Sequence, residues 1–212
     1  MPQRIVSLTP NVTETLFAVG AGDQLAAVTD FCNYPAEPLA DMPRIGAYLN
    51  PDIERMLSLS PDLVVVLPAQ VGVRERMEAA GIATLTVRNE SLDEILASIE
   101  TLGEATGHGE EGRTLTVELR AEMDAVRAQV ANRPPVSVLM VIGRGGDDLT
   151  GIFGVGPGTF LDEVIRTAGG SNVLAEAPTL YPQVPLEEVI RLAPQVIVEV
   201  VVPPSQLEPD QV

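Results

Sequence analysis

Seven aromatic side chains are the residues of this sequence best suited to hold an organic ligand. Two of them lie on predicted helices, and five lie in predicted loops: Phe31, Tyr34, Tyr48, Phe153 and Tyr181. Most of these loops follow predicted strands, and open α/β sheets bind their ligands at the carboxyl ends of strands. Rings in such loops suit a large, flat, partly apolar ligand. The alternative is that each ring only fastens its loop to the protein.

Cysteine and histidine are too scarce in this chain to build a metal centre. Cys32 and His108 are the single residues of their types, which excludes a site made of several cysteines or histidines. Neither residue has the sequence surroundings of a catalytic nucleophile or base. The glycines of Gly154–Gly158 lack the Lys-Ser/Thr pair of a phosphate-binding loop and are interpreted as a turn. We assign no catalytic residue and no metal ligand, and the chain is not predicted to be an enzyme.

Charge and hydropathy exclude two kinds of partner. The chain has 13 basic and 30 acidic residues, which gives a formal net charge of −17. Such a surface repels phosphate backbones and anionic lipid, so neither nucleic acid nor a membrane surface is an expected partner. The sequence contains no run of about 18 apolar residues, so we predict no membrane-spanning helix and no direct membrane insertion.

Predicted strands alternate with predicted helices along most of the chain, which indicates an α/β fold. The strands are predicted at 4–8, 25–29, 63–67, 82–87, 136–142 and 196–202. Asn11 and Glu14 fit a capping box that begins the first helix. The later helices are predicted at 53–60, 73–80, 92–106, 160–168 and 186–193.

One long helix interrupts this alternation. Glu110–Asn132 has an apolar stripe at helical spacing, and Pro134-Pro135 ends the pattern. At about 1.5 Å per residue such a helix spans roughly 30 Å, the width of a small domain. We therefore predict an N-terminal α/β lobe at 1–109, an inter-lobe helix at 110–133 and a C-terminal α/β lobe at 134–212.

An internal repeat supports two lobes of similar build. The segment Ile53–Val65 matches Leu186–Val198 at an offset of 133, and each copy is typical of a helix, a proline stop and a buried strand. The alternative is that any turn from a helix into a strand has this pattern. A helix, a strand and a second helix follow the first copy, whereas few residues follow the second copy. We therefore expect the second lobe to be truncated at its C-terminus.

A series of motifs in both halves resembles a known protein family. In the first half these are Arg4–Glu14, Phe17–Leu25, Asn33-Tyr34-Pro35, Asn50–Glu54 and Pro61–Val64, and in the second half they are Gly156–Gly170, Asn172-Val173 and Tyr181–Glu187. Together they resemble the cobalamin-type, class III substrate-binding proteins of ABC importers. The resemblance implies two α/β lobes joined by one long rigid helix, with a ligand cleft between the lobes.

The resemblance also implies roles for individual side chains. Four of the five loop aromatics, all except Phe31, are similar to the aromatic residues with which the family cradles a corrin or a comparable flat ligand. Glu54 and Glu187 are similar to the two acidic docking residues, one in each lobe, that meet arginines of the permease dimer.

The function implied is that of a periplasmic or cell-surface protein that captures cobalamin or a related corrinoid and delivers it to an ABC importer. The metal chelate is then the cargo, and the resemblance implies no cofactor of the protein itself. Where cobalamin binders often place tryptophan, this sequence has tyrosine, so cobinamide, haem and a siderophore stay open as ligands. Export requires a signal peptide, and none is recognised in this chain.

Two other classes of function are compatible with a bilobal α/β chain. An enzyme or a metal-cluster scaffold would need clustered cysteine and histidine ligands or a catalytic dyad, and one cysteine with one histidine argues against both. A cytoplasmic sensor is the third hypothesis, and it requires that the native gene lacks an export signal.

Overall fold

The computed structural model describes residues 1–145 and 150–200, and the chain forms two α/β units. The first unit comprises Met1–Asn89 and Asp93–Leu119, and the second comprises Glu90–Leu92 and the chain from Arg120 onward. The predicted α/β class is confirmed. The lobe boundaries drawn from the sequence stay predictions. In the described part of the chain, no helix is long and apolar enough to cross a membrane.

The first unit is built on a parallel sheet of four strands in the order β2-β1-β3-β4. Its strands are β1 (Ile5–Ser7), β2 (Leu25–Val28), β3 (Leu63–Val66) and β4 (Ala83–Thr86). Its helices are α1 (Pro10–Ala18), α2 (Ala36–Leu39), α3 (Ile53–Ser58) and α4 (Val71–Ala79). Every residue of β3 is buried, as a continuous apolar run in a parallel sheet requires. The side chains that cover it include Met56 of α3 and Met77 of α4.

The first helix begins earlier than the sequence predicts. α1 starts at Pro10, and its N-cap residue is Thr9, whose side chain makes no capping hydrogen bond. The capping box expected at Asn11 and Glu14 is therefore wrong. Proline at the first helical position fixes the backbone angle that a helix needs, and its missing N–H would have had no partner there.

Two further helices, α5 (Leu92–Thr106) and α6 (Gly109–Val130), follow one another closely. At their junction a Cβ on Gly103 would lie 2.7 Å from the carbonyl oxygen of His108, so glycine permits the close approach of the two backbones. α6 is the long helix predicted from the apolar stripe, and its residues up to Leu119 belong to the first unit while the rest belong to the second.

The second unit has a mixed sheet. Its strands are β5 (Val136–Gly145), β6 (Thr150–Gly154), β7 (Gly170–Asn172), β8 (Gln183–Val184) and β9 (Val196–Glu199), and its helices are α7 (Phe160–Thr167) and α8 (Leu186–Leu192). β5 pairs in parallel with β7 and β9 and antiparallel with β6, which pairs antiparallel with β8. Residues 201 and 202 of the last predicted strand lie outside the described residues.

The antiparallel strands of this sheet were not predicted. Phe153, which the sequence places in a loop, lies in β6, so that part of the prediction is wrong. The physical reason is that glycines at 151 and 154 interrupt the apolar alternation by which a strand is recognised. The turn predicted at Gly154–Gly158 is confirmed in part, because a turn at 157–158 precedes Thr159, the N-cap residue of α7, whereas Gly154 lies in β6.

The internal repeat has the same secondary structure in both copies. α3 and α8 begin at residues 53 and 186, and β3 and β9 begin at residues 63 and 196, so both pairs keep the offset of 133. Between helix and strand, Ser60 has a φ of 48° and Ala193 a φ of 44°, and these are the two described residues other than glycine with positive φ. An ordinary turn from helix to strand does not require this shared left-handed residue, which favours a true repeat.

The repeat extends to the strand that each copy joins. The backbone N–H of Arg4 donates to Asp62 Oδ1 at 3.0 Å, and the backbone N–H of Ser137, which is 133 residues later, donates to Gln195 Oε1 at 3.0 Å. β3 then pairs with β1, and β9 pairs with β5, in the same register. The two units therefore share a three-stranded parallel core.

Candidate functional site

Three of the predicted ligand-binding aromatics lie on one long loop of the first unit. This loop leaves the sheet after β2 and carries Phe31, Tyr34 and Tyr48 before α3 begins. The side chain of Tyr34 is 66% exposed, whereas Phe31 and Tyr48 are half-buried. The loop follows the carboxyl end of a parallel strand, where the sequence analysis placed it.

The base of this loop is closed by backbone hydrogen bonds. The N–H of Val28 donates to the carbonyl of Pro43, and the N–H of Ile45 donates to the carbonyl of Val28, both at 3.0 Å. The N–H of Asp30 donates to the carbonyl of Gly46, also at 3.0 Å. The loop thus returns to the edge of the sheet that it left, and its two ends are fixed side by side.

Cys32 anchors the floor of the loop. Its side chain is 1% exposed, and its Sγ lies 3.2 Å from the hydroxyls of both Thr13 and Thr29. A buried thiol among hydroxyl groups is an anchoring residue that a substrate does not reach.

Arg44 holds the interior of the same loop, and the sequence analysis did not find it. Its Nη1 donates to the carbonyls of Thr29, at 2.9 Å, and of Cys32, and its Nη2 donates to the carbonyl of Leu39 at 3.0 Å. A basic residue in a loop that otherwise carries acidic residues and prolines was the available signal.

Gln70 fixes the position of Tyr48 and was also missed. It is 4% exposed; its Nε2 donates to the carbonyl of Tyr48 at 2.9 Å, and its Oε1 accepts the N–H of Leu67 at 2.9 Å. A buried amide with both ends bonded links the loop after β3 to the aromatic loop. No sequence signal distinguishes this glutamine from a surface one.

The other two predicted aromatics lie in the second unit. Phe153 on β6 is 44% exposed, and Tyr181, just before β8, is 42% exposed. The N–H of Gly154 donates to the carbonyl of Pro182 at 2.9 Å, so the backbones that carry the two rings are neighbours. The structure thus brings the two residues of this unit together.

Gly156 is required for this arrangement. Its N–H donates to the carbonyl of Leu180 at 2.7 Å, and a Cβ at this position would lie 2.2 Å from the carbonyl oxygen of Thr179. The atoms in the way belong to the backbone, so they cannot rotate aside. Glycine therefore permits the segment that carries Tyr181 to approach the turn before α7.

The environment of Tyr181 perturbs the acidity of its phenol. Burial of the ring raises the pKa of its phenol, and the carboxylate of Glu90 raises it further. The hydroxyl is therefore neutral at physiological pH and can donate a hydrogen bond. A neutral phenol is suited to stacking and hydrogen bonding.

Asp162 stabilises the same turn through Asn172. Its side chain is 5% exposed; it accepts from Asn172 Nδ2 at 2.9 Å and pairs with Arg166 at 3.1 Å. Asn172 also donates to the carbonyl of Val155 at 3.0 Å, which ties the glycine-rich turn to β7. This polar network is structural, because each of these buried groups has a partner.

The two predicted docking residues occupy equivalent places. Glu54 is the second residue of α3, and Glu187 is the second residue of α8. Both side chains are exposed. A carboxylate in the first turn of a helix is stabilised by the helix dipole, so position alone does not assign a further role.

Among the residues that the structure describes, no group of three or more histidine, cysteine, aspartate or glutamate side chains is placed to hold a metal ion. The side chains of the two aromatic sets offer stacking, apolar contact and hydrogen bonding.

Comparison with known proteins identifies relatives of this chain. Residues 5–200 match the family described as periplasmic binding protein. The chain is 32% identical over 197 residues to the vitamin B12-binding protein of Vibrio cholerae, across 92% of this chain and 69% of that protein. The crystal structure of the periplasmic vitamin B12-binding protein of Vibrio cholerae is similar with a TM-score of 0.80 at 30% identity, across 93% of this chain and 76% of that one.

A solved structure with a different ligand in its name is equally similar. The apo periplasmic haem-binding protein from Roseiflexus sp. RS-1 has a TM-score of 0.83 at 30% identity, across 94% of this chain and 76% of that one.

Proposed function

We propose that this chain, which belongs to the periplasmic binding protein family, captures a cobalamin-type corrinoid outside the cytoplasm for delivery to an ABC importer. The observation that carries the proposal is the set of exposed and half-buried rings, four in loops and Phe153 on β6, of a chain that is 32% identical to a vitamin B12-binding protein. Phe31, Tyr34 and Tyr48 in the first unit, and Phe153 and Tyr181 in the second, are the proposed ligand contacts.

The exposure of these rings supports a ligand that binds by apolar contact. Apolar surface removed from water contributes about 25 cal/mol per Å², and aromatic rings bury large areas in few side-chain torsions. The segments that carry the rings are held by backbone hydrogen bonds, by the side chains of Arg44 and Gln70, and by the close contact at Gly156. Ligand binding should therefore cost little conformational entropy in these segments. Rings carried on segments whose backbones are held in this way favour a rigid, flat ligand such as a corrin.

Haem is the second candidate, favoured by the similarity to the Roseiflexus haem-binding protein. A tyrosine that holds haem iron does so as phenolate. A haem-binding role would therefore rest on one of the three tyrosines of this chain, and titration with both ligands distinguishes the two candidates.

Absorbance titration tests the proposal, because both ligands are coloured. We expect cyanocobalamin to bind the 212-residue chain, and replacement of Tyr34, Tyr48, Phe153 or Tyr181 by alanine to weaken binding by about tenfold each, as the loss of one stacked ring implies. Leu49→Ala is the matched control, since Leu49 is 75% exposed beside Tyr48 but is not aromatic. Haemin is titrated in parallel. Absence of any spectral change with cyanocobalamin would exclude the corrinoid.

Docking to the permease is proposed for Glu54 and Glu187. Equivalent carboxylates in a repeat suit a partner built from two copies of one subunit. Close charge pairs at interfaces couple by about 1.5–7 kcal/mol. Replacement of both glutamates by lysine should therefore abolish stimulation of the importer's ATPase while ligand affinity stays unchanged. Glu110→Lys, in the first turn of α6, is the control. Wild-type stimulation of the ATPase by the double variant would contradict the docking role. The two glutamates would then only stabilise the first turns of their helices.

A further inference from the structure

We infer that Arg44 is a positioning residue for ligand binding, because its guanidinium orders the loop segment that carries Tyr34. The inference rests on the proposed function, since it assumes that Tyr34 contacts the ligand. Arg44 itself is half-buried and lies directly beside β2.

The contacts of Arg44 span the segment in question. Its guanidinium bonds the carbonyls of Thr29 and Cys32, which precede Tyr34, and the carbonyl of Leu39, which follows it. One planar group thus fixes the backbone on both sides of the ring. The phenol of Tyr34 is 66% exposed, so packing of the ring itself contributes little to its position.

The chemistry of these contacts distinguishes Arg44 from the arginines in ion pairs. All 13 basic residues of the chain are arginines, and most of those in the described ion pairs lie on helices. Within the described residues, the partners of Arg44 are backbone carbonyls, and no carboxylate lies within ion-pair distance. A rigid fork with several donors can bridge three carbonyls at once, which a lysine ammonium does with much poorer geometry.

The consequence for binding is a smaller ordering cost. A loop that is already fixed in the free protein loses less conformational freedom when the ligand arrives. Without the guanidinium, the carbonyls of Thr29 and Leu39 keep only the N–H groups of Cys32 and Met42, and the carbonyl of Cys32 loses its described partner, so the segment between them is held less tightly. Ligand affinity should then fall although every ring is still present.

Hydrogen exchange on the free protein tests the first step. Arg44→Met and Arg44→Lys are compared with wild type and with Arg74→Met, which removes an exposed arginine from α4. We expect amides at 29–42, including those of Cys32, Ala40 and Met42, to exchange faster in both Arg44 variants, while amides of β1 and β3 are unchanged. Unaltered exchange at 29–42 in Arg44→Met would overturn the inference.

Titration with cyanocobalamin tests the second step. We expect Arg44→Met to weaken binding by about tenfold, the loss that follows from charge-assisted hydrogen bonds. Arg44→Lys, which keeps the charge, should restore only part of the affinity. In a Tyr34→Ala background the same change should have a smaller further effect, because Arg44 then acts only through Phe31 in the segment that it holds. Equal losses in both backgrounds, or wild-type affinity in Arg44→Lys, would contradict the positioning role.

The two steps also separate this inference from the proposed function. If wild type binds no cyanocobalamin, the proposed function fails, and the exchange experiment alone still decides whether Arg44 orders the loop. If wild type binds and Arg44→Met binds equally well, the positioning role fails while the proposed function stands.

Discussion

Strands β3 and β9 are equivalent in the repeat, yet one is buried and the other is exposed. Every side chain of β3 is at most 8% exposed, whereas Val196, Ile197 and Val198 of β9 are 42%, 57% and 39% exposed. The two strands share offset, register and the preceding left-handed residue. Local sequence therefore determines the strand, and the neighbouring elements determine its burial.

The neighbours of β3 account for the difference. β4 pairs with its second edge, and α4 covers one of its faces through Val73 and Met77. Within the described residues, β9 pairs only with β5. An apolar cavity of about 140 Å³ also lies between α8 and the sheet, lined in part by Leu139, Ile152 and Ile197. An apolar run thus predicts a strand, but it does not predict whether other elements of the chain will cover that strand.

The strongest test of this comparison replaces equivalent residues by lysine. Val64→Lys places a charge at a position that is 0% exposed and should cost about 4 kcal/mol or more of unfolding free energy. Ile197→Lys, at the equivalent position of β9, should change stability by less than about 0.5 kcal/mol and reduce self-association, because lysine protects open strand edges. Urea denaturation and sedimentation velocity measure the two effects.

The alanine variants of the same residues keep the comparison measurable if Val64→Lys does not fold. Val64→Ala should cost roughly 2 kcal/mol and Ile197→Ala much less. Equal losses at the two positions would mean that β9 is covered in solution.

The next largest effect on stability is expected at Gly156. This glycine lies in a part of the second unit that has no counterpart in the first. Gly156→Ala forces a Cβ against the carbonyl of Thr179 and should destabilise the protein by about 1–3 kcal/mol. It should also weaken cyanocobalamin binding, since Tyr181 follows the displaced segment. The control is Gly72→Ala in α4, where a Cβ would have no neighbouring atom within 4 Å. That change should raise the free energy of unfolding by about 0.5–1 kcal/mol. Thermal unfolding and titration of Gly156→Ala at wild-type values would refute the close contact.

The hydrogen bonds that join each copy to its first strand should differ in strength. Asp62 accepts the N–H groups of Gln3, at 2.7 Å, and Arg4, whereas Gln195 accepts from Ser137 with a neutral amide. We expect Asp62→Ala to cost about 1.5–3 kcal/mol and Gln195→Ala about 0.5–1.5 kcal/mol. Chemical denaturation of the two variants decides this, and a larger loss at Gln195 would reverse the order.

The smallest effect should be the same in both copies. Ser60 and Ala193 have positive φ, which disfavours a residue with a Cβ by about 1–2 kcal/mol, while glycine loses about 0.5–1 kcal/mol in chain entropy. Ser60→Gly and Ala193→Gly should therefore each stabilise by roughly 0.5–1 kcal/mol. Ala79→Gly, at the end of α4, should destabilise instead. Melting temperatures that fall in either repeat variant would show that the shared conformation is not strained.

Most of the fold could be predicted because apolar periodicity is a local property. The run Leu63–Val66 and the stripe of α6 are visible within the segments themselves. β6 and β8 escaped prediction because they are short, and glycines interrupt the first of them. The start of α1 was misjudged because Pro10 favours the first helical turn more strongly than the capping pattern did.

The candidate site was predictable only in its residue types. Scarce aromatics in loops indicated ligand contacts, and those roles stay predictions. Gln70 could not be found and Arg44 had only a weak signal, because their partners are backbone carbonyls and N–H groups that the folded chain brings near and that nearly every residue carries. A sequence shows side chains that differ from one another, whereas the backbone groups that bind them are uniform.

The bonds from Arg4 to Asp62 and from Ser137 to Gln195 each join residues 58 positions apart. The intervening chain differs greatly: the first unit fills it with the long aromatic loop, and the second with the antiparallel strands β6 and β8. Loop-closure entropy depends on the number of residues enclosed, and only logarithmically. The pairing of β1 with β3 therefore has the same entropic cost as the pairing of β5 with β9. The two closures differ instead in the apolar surface that they bury, because β3 is covered and β9 is exposed.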